Sequence, residues 1–334
     1  TDDAGGAAIS ARDARVILGD TDLRNNRSDG DGGAVFVSGG VLQTSRVIFE
    51  QNNASSGGAV AAIASEVQLT RTDLVENGAS RHGGAIFVAF PERLTLNGAF
   101  STPARIESNS AIGRGGAIYI EGESNTGQQY FIGRAAFTSN IAGNEGGAVF
   151  VGPAADAAPA VRIASSAFDD NIGLVGGAIG IDFATVEVSD STFAGNRSVG
   201  GAGGAIGSGG SVTVMGSAFD QNLADGNGGA IGANGPLEID DSTFTGNEST
   251  GLGGAVSSTG PIPPTMTATT MTANRADVAG GAVHRFGASF DTSGVTASAN
   301  DPADDQLSIV EEVPDGSDPD PDPDPDPDPD PDPD

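Results

Sequence analysis

The 334-residue chain has no cysteine, no tryptophan and no lysine, and it carries only two histidines, His82 and His284. Without cysteine there are no disulfide staples and no thiolate metal sites, and the sequence carries no sign of a redox compartment. With no lysine, all fifteen basic residues are arginine; against 45 acidic residues they leave a formal net charge of −30. Only nine of those acids belong to the C-terminal Asp-Pro run, so the body of the chain is acidic in its own right. A basic footprint for nucleic acid or anionic lipid is therefore excluded. Abundant Asp with no Lys fits either a salt-rich habitat or a GC-rich genome. Apolar runs of the roughly 20 residues that span a bilayer are missing, and the chain opens at Thr1 without a charged-then-apolar leader. That start reads as a processed form or a fragment.

What the chain has in quantity is glycine, 52 residues of it, and the glycines are periodic. Gly-Gly-Ala recurs in eleven co-periodic copies, beginning at Gly5, Gly32, Gly57, Gly83, Gly115, Gly146, Gly176, Gly203, Gly228, Gly253 and Gly280, at intervals of 25 to 32 residues. A second mark, a bulky apolar residue followed three places later by Asn, precedes each of the last ten copies. It is Leu23/Asn26, Phe49/Asn52, Leu74/Asn77, Ile106/Asn109, Phe137/Asn140, Phe168/Asn171, Phe193/Asn196, Phe219/Asn222, Phe244/Asn247 and Met271/Asn274. The Asn stands five to seven residues before the next Gly-Gly, so both marks belong to one unit.

Inside each unit, apolar residues alternate in short bursts. Pairs such as Val35/Val37 and Ile118/Ile120 follow Gly-Gly-Ala, and pairs such as Val186/Val188 and Val212/Val214 precede the bulky residue. Period two is the mark of strands. Val188 and Phe193 are an odd number of residues apart, so one strand cannot turn both inward and a corner is expected between them. No helical period appears. The pattern predicts an all-β chain: one parallel β-helix over residues 1–300, about eleven coils of three short strands each. Phe is expected to stack on Phe and Asn on Asn at about 4.8 Å per coil. The bulky residue fills the core, the Asn occupies a sharp left-handed corner and bonds to the Asn above and below, and the glycines turn another corner. A Ser or Thr two places before the bulky residue (Thr21, Thr72, Ser166, Ser191, Ser217, Ser242, Thr269) predicts a hydroxyl row.

The paired FxxN and GGA[ILV] marks resemble the repeats of the chlamydial polymorphic outer membrane proteins and of related bacterial surface proteins. That resemblance implies a right-handed parallel β-helix that is exported, associated with the outer membrane and displayed at the cell surface, where chlamydial members act as adhesins. It implies host-cell or extracellular glycan or protein surfaces as partners. Members of that family carry a C-terminal barrel and often cysteines, neither of which these 334 residues include.

Beyond the repeats, residues 301–317 read as a hinge, and 318–334 is Asp-Pro alternation, which favours an extended polyproline-II spacer of about 50 Å. An anchor is expected beyond it. Parallel β-helices also serve as polysaccharide lyases and glycoside hydrolases, so a carbohydrate-active enzyme or its descendant is the alternative function. Such sites need converging carboxylates with a base or cation. The two histidines are about seven coils, or roughly 34 Å, apart. Asp169, Asp170, Asp190, Asp220, Asp240 and Asp241 read as solvated surface. Neither a catalytic set, nor a cofactor motif, nor a metal site is predicted, beyond an incidental Ca²⁺ at a turn.

Three successive coils are longer. From the Ala of Gly-Gly-Ala to the next bulky residue most coils use 14 to 16 residues, whereas Ala85 to Ile106 takes 21, and Ala117 to Phe137 and Ala148 to Phe168 take 20 each. Insertions around Pro91–Pro103, Glu121–Gln129 and Gly152–Pro159 are expected to emerge side by side at one corner. They make a candidate binding patch of Pro91, Arg93, Tyr119, Glu121, Glu123 and Tyr130. The alternative reading is that Tyr130, seven residues before Phe137, is a strand residue turned inward.

Overall fold

The computed structural model describes residues 6–122, 129–152, 160–287, 289–302 and 307–310. Glu123, most of the second and third insertions, and the 318–334 spacer lie outside them.

All described regular structure is strand, and every strand pair is parallel. Three sheets run along the molecule. In the first, eleven strands, each following a Gly-Gly-Ala, stack in chain order from Ile9–Arg12 to Val283–Phe286, and a twelfth, Leu307–Val310, adds to the end, which gives about eleven turns of solenoid. The register carries Val35 to Val60, Ile86, Ile118, Val149 and Ile179 without a slip. The second sheet takes two segments from each coil, for example Thr185–Ser189 and Thr192–Ala194. Between them Asp190 adopts a left-handed backbone (φ 49°), the corner that the Val188 to Phe193 spacing requires. In the first two coils the strand runs on through that residue, as Arg15–Arg24 and Val41–Glu50 with Asp20 and Arg46 left-handed inside them.

The third sheet departs from the expected three strands per coil. It consists of nine two-residue strands that follow the Asn, such as Arg197–Ser198 and Leu223–Ala224. Each turns one small residue inward, Ala54, Ala79, Ala111 and Ala142 among them. Two residues are too few to display a period, which is why sequence patterning passes over this strand.

The core is the stack that the repeat predicts. The rings of Phe137, Phe168, Phe193, Phe219 and Phe244 lie within 3° of parallel at 4.6–4.7 Å, the spacing of the strands themselves. Phe49 is equally buried between Leu23 and Leu74. The Asn ladder is continuous from Asn26 to Asn300. In each step the side-chain amide donates to the Oδ1 of the next Asn at 2.8–3.0 Å: Asn52 to Asn77 at 3.0 Å, and Asn140 to Asn171, Asn171 to Asn196 and Asn196 to Asn222 at 2.9 Å each. The same Oδ1 accepts the backbone N–H of the preceding Asn, and the amide also reaches the carbonyl of a bulky residue in the coil before, as from Asn222 to Phe193. One buried polar row thereby satisfies itself. Beside it, Ser191, Ser217 and Ser242 each accept the backbone N–H of the hydroxyl residue one coil earlier at 3.2 Å and donate to the carbonyl two places back.

One expectation about corners needs correction. The asparagines were expected at a left-handed corner, but Asn52, Asn140, Asn171, Asn196, Asn222 and Asn247 are fully buried, and none of them is left-handed. The reversal falls on the residue before: Gln51 ahead of Asn52, Ser139 ahead of Asn140 and Asp170 ahead of Asn171. Asn25, Glu76, Ser108, Gln221 and Ala273 do the same, all with φ of 52–56°, and Gly195 and Gly246 fill the same place. An Asn whose side chain must point into the ladder needs its own backbone in register with its neighbours, so the chain reverses one place earlier. The Asn row also extends one coil beyond the repeat marks, because Asn300 follows Ala297, which is too small to register as a core filler. The first glycine of each pair, by contrast, is left-handed as expected, with φ of 62–75° from Gly32 to Gly280.

Candidate functional site

The structure separates the residues proposed for a binding patch. Tyr130 is fully buried in the core, and its hydroxyl donates to the carbonyl of Pro91 at 3.1 Å, also buried. It is the inward-turned strand residue of the alternative reading and presents nothing to a partner. Tyr119 does point away from the core, in the strand Ile118–Glu121 of the first sheet, but it is only 8% exposed. Arg93 is exposed on the second sheet and faces Glu66 at 3.5 Å. Glu121 is half-buried beside Tyr119. The patch is therefore not one surface. The ladder residues offer no site either: Asn52, Asn140 and Asn171, like the rings of Phe49, Phe137 and Phe168 that precede them, are closed off from solvent and serve the fold alone.

The insertions do not share one corner either. In the coil that follows Ala85, the strand Ile86–Ala89 passes to Arg93–Asn97 through three residues, and the extra length falls at 98–103, between the two segments of the second sheet. In the next two coils the extra residues lie between a first-sheet strand and the second sheet, at 122–128 and 153–159. A count from Ala to the next bulky residue spans both corners and cannot say which one received the added chain.

Two surface features remain. The first lies over the outer row of the first sheet, Phe36, Ala61, Phe87, Tyr119, Phe150, Gly180, Gly207 and Gly232. This row is covered by the residue that precedes Gly-Gly in the coil before. His82 stacks on Tyr119 at 4.8 Å, and the Arg114 guanidinium sits 4.7 Å from the Phe150 ring. Where the row becomes glycine, a groove of about 220 Å³ opens, lined by Glu145, Asp182, Ser208, Gly232 and Asn234. At its head Arg114 meets Glu145 at 2.7 Å and Asp182 at 3.9 Å, so three successive coils contribute one charged cluster. The Arg114–Glu145 contact is close but not aligned as a hydrogen bond. Burial, which outweighs the pull of Arg114, holds the Glu145 carboxyl above its usual range, and Asp182 adds to the rise. Burial likewise pushes the Tyr119 phenol up to about 12. Sequence reading missed this cluster because its members occupy different slots of the repeat: before Gly-Gly in two coils, after the strand in the third.

The second feature is the 98–103 insertion. It is a closed turn, in which Ala99 and Thr102 exchange backbone hydrogen bonds of 2.9 and 3.3 Å, and it holds Phe100 94% exposed. Beside it a shallow cleft of about 340 Å³ is lined by Arg46, Arg71, Asp73, Ala99, Ser101, Thr102 and Pro103.

The family model for the Chlamydia polymorphic membrane protein (Chlamydia_PMP) repeat matches residues 103–121 and 241–259. Each match runs from ahead of a bulky residue (Ile106, Phe244) through its Asn (Asn109, Asn247) to just past the following Gly-Gly-Ala. These are the two marks that the fold turns into its core stack, its Asn ladder and its glycine corner. No curated protein and no solved structure matches the chain. With the in-register stack and the two matches together, the chain is a parallel β-solenoid, and two of its coils are similar to the Chlamydia polymorphic membrane protein repeat.

Proposed function

We propose that this solenoid is displayed outside a bacterial cell as a rigid, non-catalytic rod about 50 Å long, and that its outer faces serve attachment. The observation that carries the reading is the division of labour within the repeat. The inward slots are spent on an unbroken Asn ladder, a Phe stack from Phe137 to Phe244 and a hydroxyl row from Ser166 to Ser242, while the outward slots vary freely from coil to coil, as binding surfaces of solenoids do. The family repeat supports the surface location, and the acidic exterior keeps such a rod soluble and apart from its copies. Protease shaving of intact cells that produce the protein tests the display: the rod should be released or labelled from outside, and full protection in unbroken cells would refute it.

The Arg114, Glu145 and Asp182 cluster favours one second reading, a carbohydrate-active site. A half-buried carboxylic acid of raised pKa, with a second carboxyl group in the same groove, is the kind of arrangement that glycosidic bond cleavage uses. Incubation of the purified chain with neutral and uronate-containing polysaccharides separates the two. New chain ends that disappear in Glu145→Gln would establish the enzyme, and none are expected.

A further inference from the structure

We propose that the 98–103 turn and the arginines beside it form a binding site for a polysaccharide carrying carboxylate or sulfate groups. This deepens the attachment half of the function above and rests on it.

Charge along one corner points to the site. The left-handed residue three places before each bulky residue forms a row that reads Asp20, Arg46, Arg71, then the inserted turn, then Arg134, Ser165, Asp190, Gly216 and Asp241. In a chain of net charge −30, this row is basic only where the turn emerges and acidic on both flanks. Arg46 is held by Asp20 through two contacts of 2.5 and 2.6 Å. Arg71 has no ion pair among the described residues. Arg134 bonds Asn97 at 3.3 Å and places its guanidinium 5.9 Å from the Phe100 ring. The one carboxylate in the cleft, Asp73, is engaged by the Arg105 backbone N–H at 3.0 Å.

The turn is built to hold its aromatic out. Gly98 donates to the Gly133 carbonyl and Ala104 to that of Arg134, at 3.0 and 2.9 Å, which fixes both ends to the next coil. A phenylalanine 94% exposed on so fixed a turn leaves apolar area in water that burial would relieve. The parts match an acidic sugar chain. Phe100 offers a flat face to the apolar side of a pyranose ring, Ser101 and Thr102 offer hydroxyls, and the guanidinium fork of Arg71 pairs with carboxylate or sulfate in the geometry that arginine favours, while Arg46, held by Asp20, adds positive charge to the cleft. A thin chain can lie in the cleft without meeting the acidic flanks, whereas a membrane plane would face them as well.

Binding of the purified chain to polygalacturonate and to dextran sulfate, with uncharged dextran as the control, tests the site by affinity electrophoresis at several salt concentrations. Binding to at least one polyanion and not to dextran is expected, weakening as salt rises; which of the two binds tells carboxylate from sulfate. Phe100→Ser and Arg71→Asn should each weaken it about tenfold and leave the melting temperature unchanged, because both side chains are exposed and Asn tolerates the left-handed backbone at 71. Failure to bind either polyanion, equal binding by the variants, or tighter binding to phosphatidylserine vesicles would overturn the proposal. A chain shaved from cells that binds neither polymer would retain the display reading and lose this one.

Discussion

At the scale of single residues, the Asn and the Phe of each repeat do different work, and substitution separates them. Phe219 lies between Phe193 and Phe244 at 4.7 and 4.6 Å and is 1% exposed, so Phe219→Ala leaves a cavity with parallel rings above and below. A loss of about 3–5 kcal/mol is expected in denaturant titration; a change near zero would mean that the stack contributes little. Asn222 removes a different kind of support. Its Oδ1 accepts from the backbone and side chain of Asn196, and its amide donates to Asn247 and to the Phe193 carbonyl. Asn222→Ala strands buried groups in two neighbouring coils, and a cost of about 3 kcal/mol or more is expected by the same titration. If the alanine variant melts with the parent, water has replaced the ladder.

At the scale of the coil, the residue ahead of Gly-Gly acts as a lid on the strand of the next coil. Where that lid is Val175 or Ala202, the strand carries glycine: a Cβ at Gly207 would stand 2.6 Å from Val175 Cγ1 and 2.7 Å from the Gly176 nitrogen. Where the lid is His82 or Arg114, the strand carries Tyr119 or Phe150, and the lid stacks on the ring. His82 makes this contact sensitive to acid. Burial first, then the charges of Arg81 and Arg114, lower its pKa, so the folded state favours the neutral ring, whose Nδ1 accepts the Arg114 backbone N–H at 3.2 Å. Below the ordinary imidazole range the unfolded chain binds the extra proton more readily, and stability falls as pH falls. Melting temperature should therefore drop from neutral to mildly acidic pH, and by less in His82→Asn, which retains an acceptor. An identical drop in the variant would assign the acid sensitivity elsewhere.

The whole molecule combines a net charge of −30 with a core that each coil shares only with its neighbours. Self-repulsion of the acidic exterior opposes the compact state, and added salt screens it. The melting temperature should rise with NaCl concentration, whereas a fall would mean that ion pairs such as Arg114–Glu145 outweigh the repulsion. Nearest-neighbour stacking also grades stability along the rod. In the first described coil Ile9, Val16, Leu18 and Leu23 are half-buried, while their counterparts Val60, Leu42, Leu69 and Leu74 are fully buried. Hydrogen exchange in this chain should accordingly be fastest over Ile9–Arg24 and slowest through the Phe137 to Phe244 stack. Uniform protection along the rod would show that it opens as a single unit.

The sequence by itself determined the solenoid: its coil length, its core fillers, its Asn and hydroxyl rows, the left-handed glycine and the corner between Val188 and Phe193. All of these repeat once per coil, and stacking in register converts recurrence in sequence into contact in space. The tertiary structure decided whatever depends on slots that do not recur, or on which of two adjacent residues turns inward. It moved the left-handed residue off Asn52, Asn140, Asn171 and their counterparts, because the ladder needs those side chains inside. It revealed two-residue strands too short to carry a period, and it turned Tyr130 into the core against Pro91. It set the first insertion at a different corner from the other two, a choice that chain length cannot express. The features that bear on function, the Arg114–Glu145–Asp182 cluster and the turn that exposes Phe100, join residues from unlike positions of neighbouring coils. Only the stacking distance of the strands brings them within reach of one another.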